Sequence, residues 1–252
     1  MRPMFLKGLL MKRFTVWVML LVGVFQSVHA DTINEAVLPP LAAEYATSMS
    51  NGKTSEVAPA SWYFIRDTYR VEIMRPQQRL AEVWDRNGRG ELSLKRIFHA
   101  DRRIVEYVPG EFKVSGVQNS WASLSSMIDP SLIKQLQPIG SMQVLGRRAS
   151  IYETTVSEQR LRFGWFDDLS LLAFWEREGP SGRSSLSLTA LHTVAPDHWH
   201  ESSEQQLSDY LVIDASDFGD MEYDPFVRKV MALDAQNPLF GFKRPEHTHR
   251  SH

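Results

Sequence analysis

From residue 61 to residue 194, apolar and polar side chains alternate with a period of two, in two blocks separated by a short helical stretch. That pattern confines the chain to a strand-built core, because alternation puts every second side chain on the same face of a sheet. In the first block, residues 62–66 lead into Tyr69, Val71 and Ile73, which alternate with Arg70, Glu72 and Met74. Residues 79–86 carry Leu80 and Trp84 on one face, and Asn87-Gly88 is a hairpin-turn pair. Residues 91–99 then set Leu92, Leu94 and Phe98 in step, and 103–108 run to the stop at Pro109-Gly110. In the second block, segments 142–147, 150–156, 160–166, 171–178 and 184–194 read as five more strands. About nine or ten strands of ordinary length result, in antiparallel meanders.

Helices are predicted between and around these blocks. Ser120 caps a helix over 121–128, and Asp129-Pro130 combines an N-cap with proline at the first helical position. Near the start, Pro39-Pro40 precede Leu41, Tyr45 and Met49 at spacing four, which reads as a helix closed at Asn51-Gly52. Near the end, 203–210 read as a short helix. Asp224-Pro225 opens another, with Phe226, Val227, Val230, Met231 and Leu233 on one face, and 238–252 read as a tail. The class expected is α+β, mostly antiparallel β.

Lys12 and Arg13 precede an apolar run over 14–25, followed by Val28-His29-Ala30. This is the layout of a secretory signal peptide cut after residue 30, the run being too short for the roughly 20 residues of a membrane span. The expected domains are a signal at 1–30, a sheet domain at 31–195 and a C-terminal extension at 196–252. Loss of Arg2, Lys7, Lys12 and Arg13 from a chain with 28 basic and 30 acidic residues leaves a net charge of −6. An acidic surface disfavours nucleic acid and anionic lipid surfaces. The chain has no cysteine, so thiol catalysis, disulfides, a lipid-modified cysteine and cysteine-held metals are excluded. The location expected is periplasmic, with no transmembrane segment once the signal is removed.

Catalytic motifs are missing: the sequence has no Gly-x-Ser-x-Gly elbow, His-Glu-x-x-His, P-loop or Gly-x-Gly-x-x-Gly. The expectation is a protein that is not an enzyme and uses no cofactor. His192, His198 and His200 lie close together without a third ligand at a diagnostic spacing, and they read as a polar loop. Asp214, Asp217, Asp220, Glu222 and Asp224 surround Gly219, but Phe218 falls where a calcium loop needs an oxygen, so no metal site is assigned. The strongest remaining signal is aromatic: Trp62, Tyr69, Trp84, Phe163, Trp165, Phe174 and Trp175 all fall on predicted strands. A curved sheet with few covering helices would leave part of this surface as an apolar concavity.

The order of elements resembles the periplasmic lipoprotein carriers of the LolA/LolB type and, more closely, the N-terminal domain of the sigma-E regulator RseB. The resemblance rests on residues 96–111 (Arg-Ile-Phe-His-Ala-Asp-Arg-Arg-Ile-Val-Glu-Tyr-Val-Pro-Gly-Glu), on Val144-Leu145-Gly146-Arg147-Arg148-Ala149 and on the strand pair 161–178. It spans about residues 35–195 and implies a curved, half-open β-barrel sheet with helices as a lid and a cavity for acyl chains. Residues 198–252 do not resemble the regulator's second domain, and no residue is assigned the role of the carriers' ligand-controlling arginine. The resemblance implies a binding or carrier protein for a lipid or lipoprotein acyl chain. The cavity is expected to be lined by Tyr69, Val71, Trp84, Leu94, Phe163, Trp165 and Phe174. The alternative is an envelope interaction or stress-sensing module without a small ligand, docking a protein partner on 224–233.

Overall fold

A computed structural model describes residues 38–50, 57–110, 120–156, 158–180, 182–199 and 202–236. The signal-peptide segment, His200 and the tail beyond residue 236 lie outside the described residues. The chain builds one sheet from β1 (Leu41–Ser50), β2 (Val57–Arg66), β3 (Arg70–Arg75), β4 (Leu80–Arg86), β5 (Leu92–Phe98) and β6 (Arg103–Tyr107). Helices α1 (Trp121–Ser126) and α2 (Pro130–Gln135) follow. The sheet continues with β7 (Gly140–Val144), β8 (Arg147–Val156), β9 (Gln159–Phe166), β10 (Leu171–Gly179) and β11 (Gly182–His192). Helix α3 (Glu204–Leu207), strand β12 (Leu211–Asp214) and helix α4 (Pro225–Gln236) complete it. The spatial order is β12-β6-β5-β4-β3-β2-β1-β11-β10-β9-β8-β7. The result is a curved, half-open, mostly antiparallel sheet with a few short helices.

The ten alternating segments all become strands. Two further strands depart from the sequence reading. Residues 41–50 are β1, the strand that joins the two blocks, pairing with β2 on one side and β11 on the other. Spacing four, which suggested a helix, is also twice the strand period. Ala43, between Leu41 and Tyr45, is buried in the same cluster, whereas Ala42 belongs to the cluster on the opposite face. β12 is only four residues long and lies parallel to β6, Leu211 opposite Arg103 and Ile213 opposite Val105. It brings the C-terminal extension into the same sheet.

Side chains opposite one another across an antiparallel pair share a face, so the register sorts the sheet into two surfaces. The inner face carries Leu41, Ala43, Tyr45, Trp62, Phe64, Val71, Ile73, Trp84, Leu94, Val105, Tyr107, Phe163, Trp175 and Leu186, all buried. Met127, Ile128 and Ile133 from the helical insert, and Phe226, Val227 and Val230 from α4, are buried in the same core. The outer face is covered over β2–β6 by Ala195, Trp199, Leu207 and Tyr210. There Trp199 stacks on Tyr63, with ring centroids 4.3 Å apart and 7° between planes.

The caps form as the sequence predicts. Ser120 Oγ accepts from Ser123 N at 3.0 Å, and Asp129 Oδ1 from Ser131 N at 2.8 Å. Asp224 Oδ1 accepts from Phe226 N at 2.7 Å. Each satisfies a helix-terminal N–H with no partner inside its own helix.

Candidate functional site

The inner face under the helical insert brings together most of the residues expected to line a cavity. Val71, Trp84, Leu94, Phe163 and Trp165 are all buried there, Trp84 opposite both Val71 and Leu94. Two expected residues stand elsewhere. Tyr69 precedes β3 in a turn and is 59% exposed, its ring 5.9 Å from the Arg86 guanidinium. Phe174 is buried but lies on the other face. An irregularity between Leu172 and Phe174 shifts the β9–β10 register by one residue and places Phe174 opposite Gly164, not opposite Phe163 or Trp165. Its ring lies over Gly164 and under Arg162, whose guanidinium carbon is 5.4 Å from the ring centre.

What closes this region is a residue the sequence reading did not select. Arg66, at the end of β2, points inward with Trp62 and Phe64 and is almost fully buried. Its Nη1 donates to Ser125 O at 2.7 Å and Ser170 O at 3.2 Å. Its Nη2 donates to Leu169 O at 2.9 Å and Pro39 O at 3.1 Å, and Nε also reaches Pro39 O at 3.2 Å. The guanidinium therefore joins β2 to the lead-in of β1, to α1 and to the β9–β10 turn, through carbonyl oxygens alone. Burial lowers its pKa to about 10, although the neighbouring Tyr45 phenol pulls the other way. Tyr45 OH donates to Leu172 O at 2.7 Å beside it, and burial pushes that phenol far above its usual range. At its other end, α1 is held by Arg86, whose guanidinium carbon lies 4.9 Å from the Trp121 ring centre. A six-residue helix has little stability of its own, so these contacts and its apolar packing keep it in place. The sequence signal for Arg66 was available: positions 62, 64 and 66 share one face, and an arginine at the third must find buried acceptors.

A second buried polar group lies between the inner face and α4. Arg96 on β5 donates to Asp234 on α4, which also accepts from Tyr107 OH at 2.9 Å. Arg96 Nε stands 3.4 Å from Glu82 Oε1, and Arg75 Nη2 lies 3.1 Å from Glu82 Oε2. Burial works against the Glu82 carboxylate, but Arg75 and Arg96 outweigh it and hold its pKa below the ordinary range. Asp234 is shifted upward by burial in spite of Arg96. Two cations and two anions thus balance inside the helix–sheet contact. This placement corrects the expectation of a partner-docking helix at 224–233: Phe226, Val227 and Val230 face the chain's own core.

Four of the metal candidates have structural roles of their own. His192 and His198 pack edge-on against Trp199, with centroids 5.4 Å and 6.2 Å apart. Asp214 accepts from Ser216 N at 2.8 Å, and Asp224 pairs with Arg103 at 2.9 Å besides capping α4. Among the described residues no group of three or more metal-ligating side chains comes together, and no helix is long and apolar enough to cross a membrane.

No family model and no curated protein matches the chain. Among solved structures it is similar to PNGF-II, with 15% identity and a TM-score of 0.41 over 74% of this chain and 33% of that one. It is also similar to a structure of the Pseudomonas aeruginosa MucA/MucB complex, with 16% identity and a TM-score of 0.33 over 67% of this chain and 54% of that one. A LolA superfamily protein from Nitrosomonas europaea matches with 8% identity and a TM-score of 0.33, over 67% of this chain and 92% of that one. The chain thus spans about a third of PNGF-II and about half of the matched chain of the MucA/MucB complex.

Proposed function

We propose that this chain is a periplasmic carrier that holds the acyl chain of a lipid or lipoprotein on the inner face of its sheet, beneath α1 and α2. The observation that carries the reading is the Arg66 closure. A buried cation bonded only to neutral carbonyls is a poor way to maximise stability, because an apolar side chain of similar volume avoids the desolvation cost. It is a good way to hold a lid that must open, since every bond ends on a backbone oxygen that water can take over once the helix lifts. Beneath it lie Val71, Trp84 and Leu94, a surface that suits an alkyl chain and supplies no nucleophile or general base. In this reading Arg66 is a positioning residue that sets how readily the site opens.

The test is uptake of a fluorescent fatty acid by the purified chain, with native mass spectrometry for co-purifying lipid. Binding is expected, with faster association in Arg66→Met, which keeps volume and removes the latch. A protein that purifies free of lipid and takes up no probe would overturn the carrier reading.

A second reading, an envelope interaction or stress-sensing module, draws on the edges of the sheet. β12 exposes Leu211 and Val212, and β7 exposes Met142 next to Ile139. Open apolar edges are templates for strand addition. Lysine substitutions at Val212 and Met142 that abolish partner capture without affecting fatty-acid uptake would favour it.

A further inference from the structure

The inner face has a second end, and it is built differently from the Arg66 end. The register places Met49 of β1 opposite Ser184 of β11, Ser184 opposite Arg177 of β10, and Arg177 opposite Leu161 of β9. These four side chains form one row on the face that carries Trp175, Leu186 and Phe163, one step further along the strands. Arg177 lies 5.8 Å from the centre of the Trp175 ring.

Four other arginines on this face have oxygen partners. Arg66 is saturated by carbonyls, Arg75 pairs with Glu82, Arg96 with Asp234 and Glu82, and Arg103 with Asp224. Among the described residues, no carboxylate pairs with Arg177. Its sequence neighbours point to the opposite face, where Glu176 is already engaged by Arg162 and Arg183. Beside Arg177, Ser184 is only 7% exposed, and its hydroxyl is buried without a hydrogen-bond partner among the described residues. A buried hydroxyl in that condition costs free energy until an acceptor or donor reaches it.

We propose that Arg177 and Ser184 form the head-group site for an anionic acyl amphiphile. The guanidinium would make a charge-assisted, two-pronged contact with the oxygens of a carboxylate or phosphate, and the Ser184 hydroxyl would donate to the same group. The row Met49, Leu161, Trp175 and Leu186 then offers the first carbons of the chain an apolar path toward the centre of the sheet. The two ends of one face thus divide the work: Arg66 ties down the lid, and Arg177 reads the charge of the cargo.

This proposal rests on the carrier reading, and its test separates the two. Affinities of the full chain for oleate, oleyl phosphate and oleyl alcohol are compared by titration, since the three share a chain and differ in the head. Both anions are expected to bind about tenfold tighter than the alcohol, the margin of one hydrogen-bonded charge contact. Arg177→Gln should remove that margin while leaving alcohol binding and the melting temperature unchanged, and Ser184→Ala should reduce it severalfold. The ratio of oleate to oleyl phosphate identifies which head group the site prefers. Equal binding of all three, or an anion preference that survives in Arg177→Gln, would overturn the head-group site and leave the carrier reading standing. Failure of all three to bind would overturn both.

Discussion

Gly164 is a glycine because Phe174 lies across it. A Cβ at this position would fall 2.3 Å from the Phe174 ring, inside any permissible contact, and Arg162 caps the ring from the other side. Gly164→Ala is expected to lower stability by about 1–3 kcal/mol, the usual cost of overpacking. Adding Phe174→Leu should recover part of that loss, and urea denaturation of both single variants and the double variant checks the coupling. Arg66 responds differently. Arg66→Ala leaves four buried or half-buried carbonyls without their donor and opens a void, so a loss of at least about 3 kcal/mol is expected by the same measurement. Arg66→Lys should fall between, because a single ammonium cannot reach oxygens on three sides. The inward direction of Arg66 was legible from alternation within β2. Its acceptors were not, because Pro39, Ser125, Leu169 and Ser170 are brought together only when α1 folds over the sheet.

The C-terminal helix shows how an element can carry a clear sequence signal and a misleading implication. Its cap, its first proline and its apolar stripe were all legible. The expectation that this stripe docks a partner is corrected because it already faces β5 and β6 of its own chain. Asp234 fixes that seating. Asp234→Ala would strand Arg96 in the core with one carboxylate in place of two and is expected to cost about 3–5 kcal/mol. Asp234→Asn, which retains an acceptor for Tyr107, should cost less, and thermal melts of both variants distinguish charge from hydrogen bonding. Asp224→Ala, which removes the cap and the Arg103 contact from the other end, should cost about 1 kcal/mol. β1 is the converse case. Its apolar spacing of four fits a helix and a strand equally well, and the choice was made by β2 and β11, which flank it and bond to both of its edges.

For the molecule as a whole, the buried charges set the response to acid. Glu82 is held below its ordinary value of 4.5, so its contribution to stability is complete above that pH and is lost as pH falls through the lower folded value. Asp234 is shifted upward and has the opposite sign, because protonation removes the charge that burial penalises and so favours the folded state as pH falls through the raised value. The Glu82 contribution is read separately in a variant that cannot titrate at that position. The Glu82 part of the melting-temperature loss should appear as pH falls below 4.5, and the slope there should be shallower in Glu82→Gln. Alternation, turn pairs and caps are local properties, and they carried the strand-rich class, ten of the strands and the helix starts. The placement of β1 between the two blocks, the parallel seating of β12, the one-residue shift that turns Phe174 outward, and the partners of Arg66, Arg96 and Arg177 belong to the tertiary structure alone. The joining of β1 to β11, the seating of β12 on β6, and the bonds from Arg66 to α1 and from Arg96 to α4 depend on contacts between residues roughly 60 to 150 apart, which no local pattern encodes, whereas the Phe174 shift is a bulge between neighbouring strands that alternation alone cannot place.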